Sequence, residues 1–142
     1  MYRHILLPVD LSDAHSWRKA LPTALTLSTT FRAELHVMTV VPEFGMPLVA
    51  QYFPQGYEAK MHEHVAAALA KFVAEQVPKD VEVQRIVAAG KIYQQILRVA
   101  EEIGADLIVM GSHRPELSDY LLGPNAARVV RHAGCSVMVV RA

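Results

Sequence analysis

The sequence has one cysteine, no excess of either charge and no long hydrophobic run, and each shortage excludes a class of protein. A single thiol, Cys135, cannot build an internal disulfide framework, which favours a reducing compartment. Fourteen Lys and Arg balance fourteen Asp and Glu, so no overall basic field would attract nucleic acid or anionic lipid. The first apolar stretch ends at Asp10, far short of a signal-peptide core or a membrane span. We therefore expect a cytoplasmic protein that binds neither nucleic acid nor membranes.

The chain length and the order of its apolar runs predict the fold class. At 142 residues the chain has the length of one ordinary domain, which we expect to span residues 1–142. Short β-branched runs alternate with longer runs of helical period, a pattern typical of βαβ folds. Strands one, four and five are apolar almost throughout, which indicates burial on both faces. The sequence predicts an α/β fold with an open, doubly wound, Rossmann-like parallel sheet covered by helices on both faces. The candidate strands are Ile5–Val9, Glu34–Val41, Val81–Ala88, Asp106–Met110 and Ser136–Val140.

Proline and glycine mark three features between these strands. Pro22 lies inside the first helical pattern, over residues 14–28, and predicts a kink there. Gly104 stands where a C-terminal glycine should close the third helix. The long segment from Pro42 to Tyr57 is rich in proline, glycine and aromatics, and two interpretations remain open: a lid or partner surface, or a loop packed on the core.

The residues after the first strand are candidates for ligand contact, because ligands of open parallel sheets bind beyond the carboxyl ends of the strands. Ser12 and Asp13 are most simply explained as caps of the first helix. Asp10 has two open interpretations. It can cap the helix, or its carboxylate can reach a ribose hydroxyl or a metal-bound phosphate.

The loop after the fourth strand, GSHRPELSDYLLGPNAARVV, has the shape of a phosphate-binding loop. Gly111 permits a sharp exit from the strand and a close approach of ligand to backbone. Gly123 precedes a helix whose free N–H groups and dipole favour an anion. His113 lies within the loop, where a ligand contact and a bracing hydrogen bond are equally open.

Pro124 makes this loop an unusual anion site. It suits the first position of a helix, but it has no backbone N–H to offer a phosphate. The amides of Asn125 and Ala126 remain available, and Arg114 can supply positive charge. A capped helix without any ligand is the structural alternative.

Other reactive side chains carry less weight. His62 and His64 are two apart on a helix, so they face different directions and cannot jointly hold a metal. Cys135 precedes an apolar strand and is expected to be a partly buried, inert thiol. No catalytic triad order, HExxH or GxxxxGK[ST] motif occurs, so the sequence assigns no catalytic residue.

Four segments in order resemble the universal stress protein family over essentially the whole chain. They are ILLPVDLS, VMTVVP, GKIYQQILRVAEEIGADLIVMGSH and LLGPNAARVVRHAGCSVMVV. The chain is most similar to the small bacterial F/G-type members. The resemblance implies a five-stranded parallel sheet, ATP bound across strands one and four, and a homodimer. Two copies of strand five would pair at the sheet edge, and the sequence does not decide whether dimers associate further.

The nucleotide signature of this family is Gly, two residues, Gly, nine residues, Gly, then Ser or Thr. Gly111 matches the first glycine and Gly123 the third, with one residue fewer between them. The second glycine is lost beside Arg114, and Pro124 stands at the Ser/Thr position. The F/G-type members also shorten this loop and are associated with adenine nucleotides, so the deletion indicates a subtype.

The resemblance implies a set of nucleotide-binding residues and no catalytic ones. ATP, ADP or AMP would bind with Mg²⁺ held through the phosphates. This favours an ATP-binding stress or regulatory protein with at most slow hydrolysis. The alternative is a nucleotide-free dimeric interaction module of the same fold, and an adenylate- or phosphate-transferring enzyme is least favoured. The implied binding residues are Pro8, Val9, Asp10, Val40, Met110, Gly111, His113, Arg114, Gly123, Asn125 and Ala126.

Overall fold

Five parallel strands form the centre of the molecule. The computed structural model describes residues 1–41, 56–112 and 123–141, so the segment 42–55 and its two interpretations lie outside it. The strands form one sheet in the order β3-β2-β1-β4-β5, and every neighbouring pair is parallel. This confirms the predicted α/β class and its five-stranded parallel sheet. The strands are β1 (His4–Pro8), β2 (Glu34–Val41), β3 (Val83–Ala89), β4 (Leu107–Ser112) and β5 (Ser136–Arg141).

Helices cover both faces of the sheet, as the sequence predicts. Successive strand residues point to opposite faces, and each face has its own apolar cluster. On one face α1 and α2 contribute residues such as Leu21 and Phe72. On the other, α3 and α4 contribute Ile96 and Val129. The helices are α1 (Ala20–Phe31), α2 (Tyr57–Gln76), α3 (Ile92–Ile103) and α4 (Pro124–His132), and a short 3-10 turn (Ala14–Ser16) precedes α1.

None of the helices in the described ranges has both the length and the apolarity needed to cross a membrane.

The central and edge strands differ in burial although both are apolar. Ile5, Leu6 and Leu7 of β1 are 0% exposed, because strands flank β1 on both sides and helices cover both faces. β5 lies at one edge of the sheet, where its residues are half-buried or exposed. The prediction that β5 is buried on both faces is therefore wrong. The continuous apolar run of β5 belongs to an edge strand that pairs with one neighbour, β4, in this sheet.

The first helical segment also differs from its prediction. There is no single helix over residues 14–28 with a kink at Pro22, because the chain forms a 3-10 turn and then starts α1 at Ala20. Pro22 is the third residue of α1. A backbone N–H in the first turn has no acceptor within its own helix, so the proline removes no intrahelical bond there.

Gly104 closes α3 as predicted. Its φ of 68° lies in the left-handed region, where glycine carries no Cβ penalty. Its N–H donates to the Glu101 carbonyl at 3.2 Å, and the N–H of Ala105 donates to the Ala100 carbonyl at 2.8 Å. These bonds turn the chain directly into β4.

Candidate functional site

A cavity of about 370 Å³ opens beyond the carboxyl end of β1. β1 ends at Pro8, whereas its two neighbours continue, β2 to Val41 and β4 to Ser112. The space between those two longer strands is therefore not filled by backbone. The chain connects β1 to β2 on one side and places β4 on the other, so this is also the point where the strand order reverses. Open parallel sheets bind ligands at such a point.

The structure brings seven of the predicted site residues together around this cavity. Gly123 does not line the cavity and is the residue before α4, and His113 and Arg114 lie outside the described residues. Ala126 is a residue of α4 and is 4% exposed, because its side chain packs into the core. Only its backbone can therefore face a ligand. Six lining residues were not among the predicted binding residues, and of these Ile92 and Ile96 were visible as an apolar i, i+4 step; the six are Ser12, Ser16, Met38, Thr39, Ile92 and Ile96. The seven are Pro8, Val9, Asp10, Val40, Met110, Gly111 and Asn125.

The backbone of Val40 faces the space beyond β1. In a parallel strand the N–H and C=O of one residue face the same neighbour, and those of the next residue face the opposite one. The Met38 carbonyl accepts from the N–H of Val9 at 2.8 Å, so Met38 faces β1. The Val41 carbonyl accepts from the N–H of Gly90 at 3.1 Å and faces the β3 side. Val40 therefore faces the β1 side, where no strand of the described ranges continues. Its N–H and C=O form part of the cavity wall.

The carboxylate of Asp10 is held by the loop that follows β1. Its Oδ1 accepts from the N–H of Ser12 at 3.0 Å and from the Ser12 hydroxyl at 2.7 Å. The backbone N–H of Asp10 donates to the hydroxyl oxygen of Ser16 at 2.9 Å. Asp13 caps the 3-10 turn by accepting from the N–H of His15 at 3.0 Å. The capping prediction is confirmed for Asp13 only at the 3-10 turn, because the N-cap of α1 is Lys19, which makes no side-chain capping bond. Ser12 and Asp10 are the N-cap of neither element, and Asp10 is braced at the cavity.

The start of α3 forms an apolar wall of the cavity. Ile92 and Ile96 lie one turn apart and both line it. Ile92 is 46% exposed, which is unusual for a large aliphatic side chain at a concave surface. Next to it, the guanidinium of Arg128 lies 4.8 Å from the ring centroid of Tyr93 and links α4 to α3. The wall suits a flat apolar group.

The start of α4 brings two amides that have no acceptor within the helix near the cavity. Gly123 is the N-cap and Pro124 the first helical residue, as the sequence predicts. The N–H of Ala127 donates to the Gly123 carbonyl at 2.9 Å and is the first intrahelical donor. The amides of Asn125 and Ala126 precede it, so they have no acceptor within the helix. An anion at this helix start would be held by those two amides.

Cys135 lies away from this cavity. It is half-buried, as predicted, and burial raises the pKa of its thiol, with the charge of Asp106 adding to the shift. Both effects favour the neutral thiol over the reactive thiolate. His62 and His64 are exposed on α2.

The fold and the position of the cavity define a doubly wound, Rossmann-like α/β protein. A model of the universal stress protein family matches residues 1–141, and the chain therefore belongs to that family. It is 29% identical to universal stress protein G of Shigella flexneri over 143 residues, which cover 99% of this chain and 100% of that protein. The predicted resemblance to the F/G-type members is thereby confirmed.

Solved structures agree with this assignment. UspA of Lactobacillus plantarum superimposes with a TM-score of 0.74 at 26% identity, covering 99% of this chain and 98% of that one. A universal stress protein in complex with cAMP superimposes with a TM-score of 0.72 at 19% identity, covering 98% and 97%. The second similarity concerns the fold alone.

Proposed function

We propose that this universal stress protein binds ATP, or ADP or AMP, in the cavity beyond β1 and acts as a nucleotide-dependent stress or regulatory factor. The observation that carries the proposal is the gap between β2 and β4. It presents the Val40 backbone, the braced carboxylate of Asp10 and an apolar helix wall to one space of about 370 Å³. That volume lies within the range of small-molecule sites, about 300–1,000 Å³.

Each part of an adenine nucleotide has a matching group in the cavity. The N–H and C=O of Val40 match the donor and acceptor edge of adenine, and Ile92 and Ile96 match its flat face. In this proposal Asp10 accepts from ribose hydroxyls, as acidic residues do in dinucleotide-binding folds.

The phosphates would lie toward α4. The amides of Asn125 and Ala126 and the dipole of α4 favour an anion there. Gly111, Gly123, His113 and Arg114 complete the proposed phosphate side, and Mg²⁺ would bind through phosphate oxygens. Pro124 contributes no donor, so Arg114 carries more of the phosphate charge in this proposal than an amide would.

Hydrolysis of a bound nucleotide is expected to be slow. Among the described residues that line the cavity, Asp10 is the one ionisable side chain. The proposal assigns it to the ribose, so it is not placed to activate water at the γ-phosphate. Binding without efficient turnover suits a regulatory protein.

We also propose that the protein forms a homodimer through β5. The strand is apolar and lies at the sheet edge, with β4 as its one strand partner in the described sheet. Unpaired edges of this kind invite pairing with another chain. Two β5 strands running antiparallel about a two-fold axis would cover both edges.

A nucleotide-free dimeric module of the same fold is the alternative function. Pro124 favours it, because the residue at the first helical position has neither an N–H nor a hydroxyl for a phosphate. In that case the cavity would be a remnant, and the protein would act through its partners.

Adenine-nucleotide content and calorimetry decide between the two functions. Protein purified without added nucleotide is denatured and its supernatant chromatographed, and emptied protein is then titrated with ATP and Mg²⁺. The Asp10→Asn variant keeps an acceptor for Ser12 but loses the charge, and its affinity for ATP should fall about tenfold or more. Asp80→Asn, on an exposed turn, is the matched control and should bind as the wild type does.

The ribose contact has its own readout. If Asp10 accepts from the 2′-hydroxyl, 2′-deoxyATP should bind the wild type more weakly than ATP, and Asp10→Asn should narrow that gap. An empty protein that gives no heat of binding would establish the nucleotide-free module. Equal binding by the wild type and Asp10→Asn would refute the role of the carboxylate.

A further inference from the structure

Three side chains with metal-ligating atoms meet at the opposite end of the sheet from the cavity. His4 begins β1, and Glu34 and His36 lie at the start of β2. The Nδ1 of His4 lies 3.3 Å from the Nε2 of His36 and 3.6 Å from the Oε2 of Glu34. All three ligand atoms lie within 4.8 Å of one another.

The strand register creates this cluster. His4 pairs with Glu34, and Leu6 pairs with His36, in the parallel ladder between β1 and β2. Glu34 and His36 are two residues apart on one strand, so they point to the same face of the sheet. His4 stands beside them on the neighbouring strand. The two imidazole rings are 5.6 Å apart between centroids and tilted by 44°.

The backbone beneath the cluster is fixed by Asp106. Its carboxylate accepts from the N–H of Arg3 at 2.9 Å and from the N–H of His4 at 3.1 Å. The N–H of Asp106 donates to the His4 carbonyl at 3.0 Å, and the N–H of Glu34 donates to the Arg3 carbonyl at 2.8 Å. His4 is therefore held at both its backbone groups. Ligands on such a fixed frame lose little freedom when they bind an ion.

The three side chains cannot all be paired with one another by hydrogen bonds at the same time. The Nδ1 of His4 faces both the His36 nitrogen and the Glu34 carboxylate, but a ring nitrogen carries at most one proton to donate. His36 is 7% exposed, so few water molecules can reach its ring. A neutral imidazole offers a lone pair from its unprotonated nitrogen. A cation placed between the groups could engage all three.

We propose that His4, Glu34 and His36 form a binding site for a divalent transition metal, with Zn²⁺ the best match. Two imidazole nitrogens and one carboxylate oxygen are a donor set that zinc accepts, with a fourth position left for water. Bonds of about 2.0–2.2 Å in a tetrahedral site place ligand atoms roughly 3.3–3.6 Å apart, close to the two separations from His4. Mg²⁺ and Ca²⁺ prefer oxygen ligands and should not compete.

The site would join the starts of β1 and β2 and is reachable from solvent. The side chains of His4 and Glu34 are 38% and 45% exposed. An ion bound there links two central strands at the end remote from the proposed nucleotide cavity. Zinc should therefore raise the stability of the native state by mass action, independently of ATP.

The proposal is tested on untagged protein that has been treated with a chelator, and Zn²⁺ and Co²⁺ are the only ligands added. Calorimetry should give one Zn²⁺ per chain, and Co²⁺ should add the visible absorption of a tetrahedral nitrogen and oxygen site. His4→Gln and Glu34→Gln each remove a partly exposed ligand, so both variants should fold, as circular dichroism would verify. Each should weaken zinc binding at least tenfold, because even outer-shell partners of a metal site are worth about 10–100-fold.

Matched controls separate this site from ordinary surface histidines. His62→Gln and Glu63→Gln change exposed residues of α2 and should leave the zinc affinity and the cobalt spectrum unchanged. Zinc should also raise the melting temperature of the wild type and of both controls, but not that of the His4 and Glu34 variants. The proposal is overturned if the protein binds no zinc, or if the His4 and Glu34 variants bind it as tightly as the controls.

Discussion

A Cβ atom on Gly111 would lie 2.5 Å from the backbone carbonyl oxygen of Ser16. The carbonyl oxygen of His15 would be 3.2 Å away. Both obstacles belong to the backbone of the 3-10 turn that follows β1, so no flexible side chain can move aside. From the sequence, Gly111 is explained by the close approach of a ligand to the backbone. In the structure, the backbone of the 3-10 turn already approaches Gly111 this closely. The glycine is required by packing whether or not a nucleotide binds.

The Gly111→Ala substitution should therefore destabilise the protein even without nucleotide. The added methyl group forces the end of β4 and the 3-10 turn apart, a form of overpacking that costs about 1–3 kcal/mol. Urea unfolding followed by circular dichroism measures the loss. Gly134→Ala is the control, because no atom lies within 4 Å of its Cβ position, and it should change stability by less than about 0.5 kcal/mol. Equal unfolding midpoints for the two variants would contradict the packing requirement.

Two helices end in the left-handed conformation with different residues. The C-cap of α1 is Arg32 with φ 55°, and the C-cap of α3 is Gly104 with φ 68°. A Cβ atom in the left-handed region costs roughly 1–2 kcal/mol of stability, which glycine avoids. Glycine gives back part of this gain, because its unfolded chain has more conformational entropy to lose on folding. Arg32→Gly should therefore raise the free energy of unfolding by about 0.5–1 kcal/mol, and Gly104→Ala should lower it by about 1 kcal/mol. Urea unfolding curves that shift in the same direction for both variants would refute the argument.

The fold was predictable because its strands are short, apolar and separated by helical runs. The predicted β2 has the bounds that the structure shows, Glu34–Val41, and Gly104 closes its helix as expected. The first helix was not predicted correctly, since periodicity cannot distinguish a proline inside a helix from one in its first turn. Burial of β5 was also wrong, because an apolar edge strand reads like a central one.

The cavity was predictable in part, and the metal-ligand cluster was not. Residues at strand ends are recognisable from sequence, which is why seven predicted residues meet at one cavity. The His4 cluster depends on the register between β1 and β2, which sequence does not fix. A usable signal existed, since Glu34 and His36 alternate at the start of a strand and His4 starts another.

The thiol of Cys135 should react slowly at neutral pH. Burial raises its pKa, and the nearby charge of Asp106 raises it further. A raised pKa leaves a smaller thiolate fraction at any given pH, so alkylation should accelerate only at higher pH than in the unfolded chain. The measurement is the rate of reaction with iodoacetamide as a function of pH, in buffer and in urea. Coincident profiles would show that the native structure does not perturb the thiol.

The edge of β5 gives the sharpest test of the proposed dimer. A charge at Val137 or Val139 should disrupt it, but both side chains also pack against the core, so such variants would damage the monomer as well. Met138 is 38% exposed on the same strand and belongs to neither apolar cluster. Met138→Glu should therefore break strand pairing while leaving the fold intact.

Sedimentation velocity distinguishes a dimer from a chain of 15.7 kDa. The wild type should sediment as a dimer and Met138→Glu as a monomer with unchanged circular dichroism, because each chain would bring an unpaired carboxylate into the paired edge. Val130→Glu is the matched control, since Val130 is 46% exposed and lies on α4, not on the pairing strand. A Met138→Glu protein that remains dimeric would place the interface elsewhere. A monomeric wild type would mean that β5 is tolerated as an open edge.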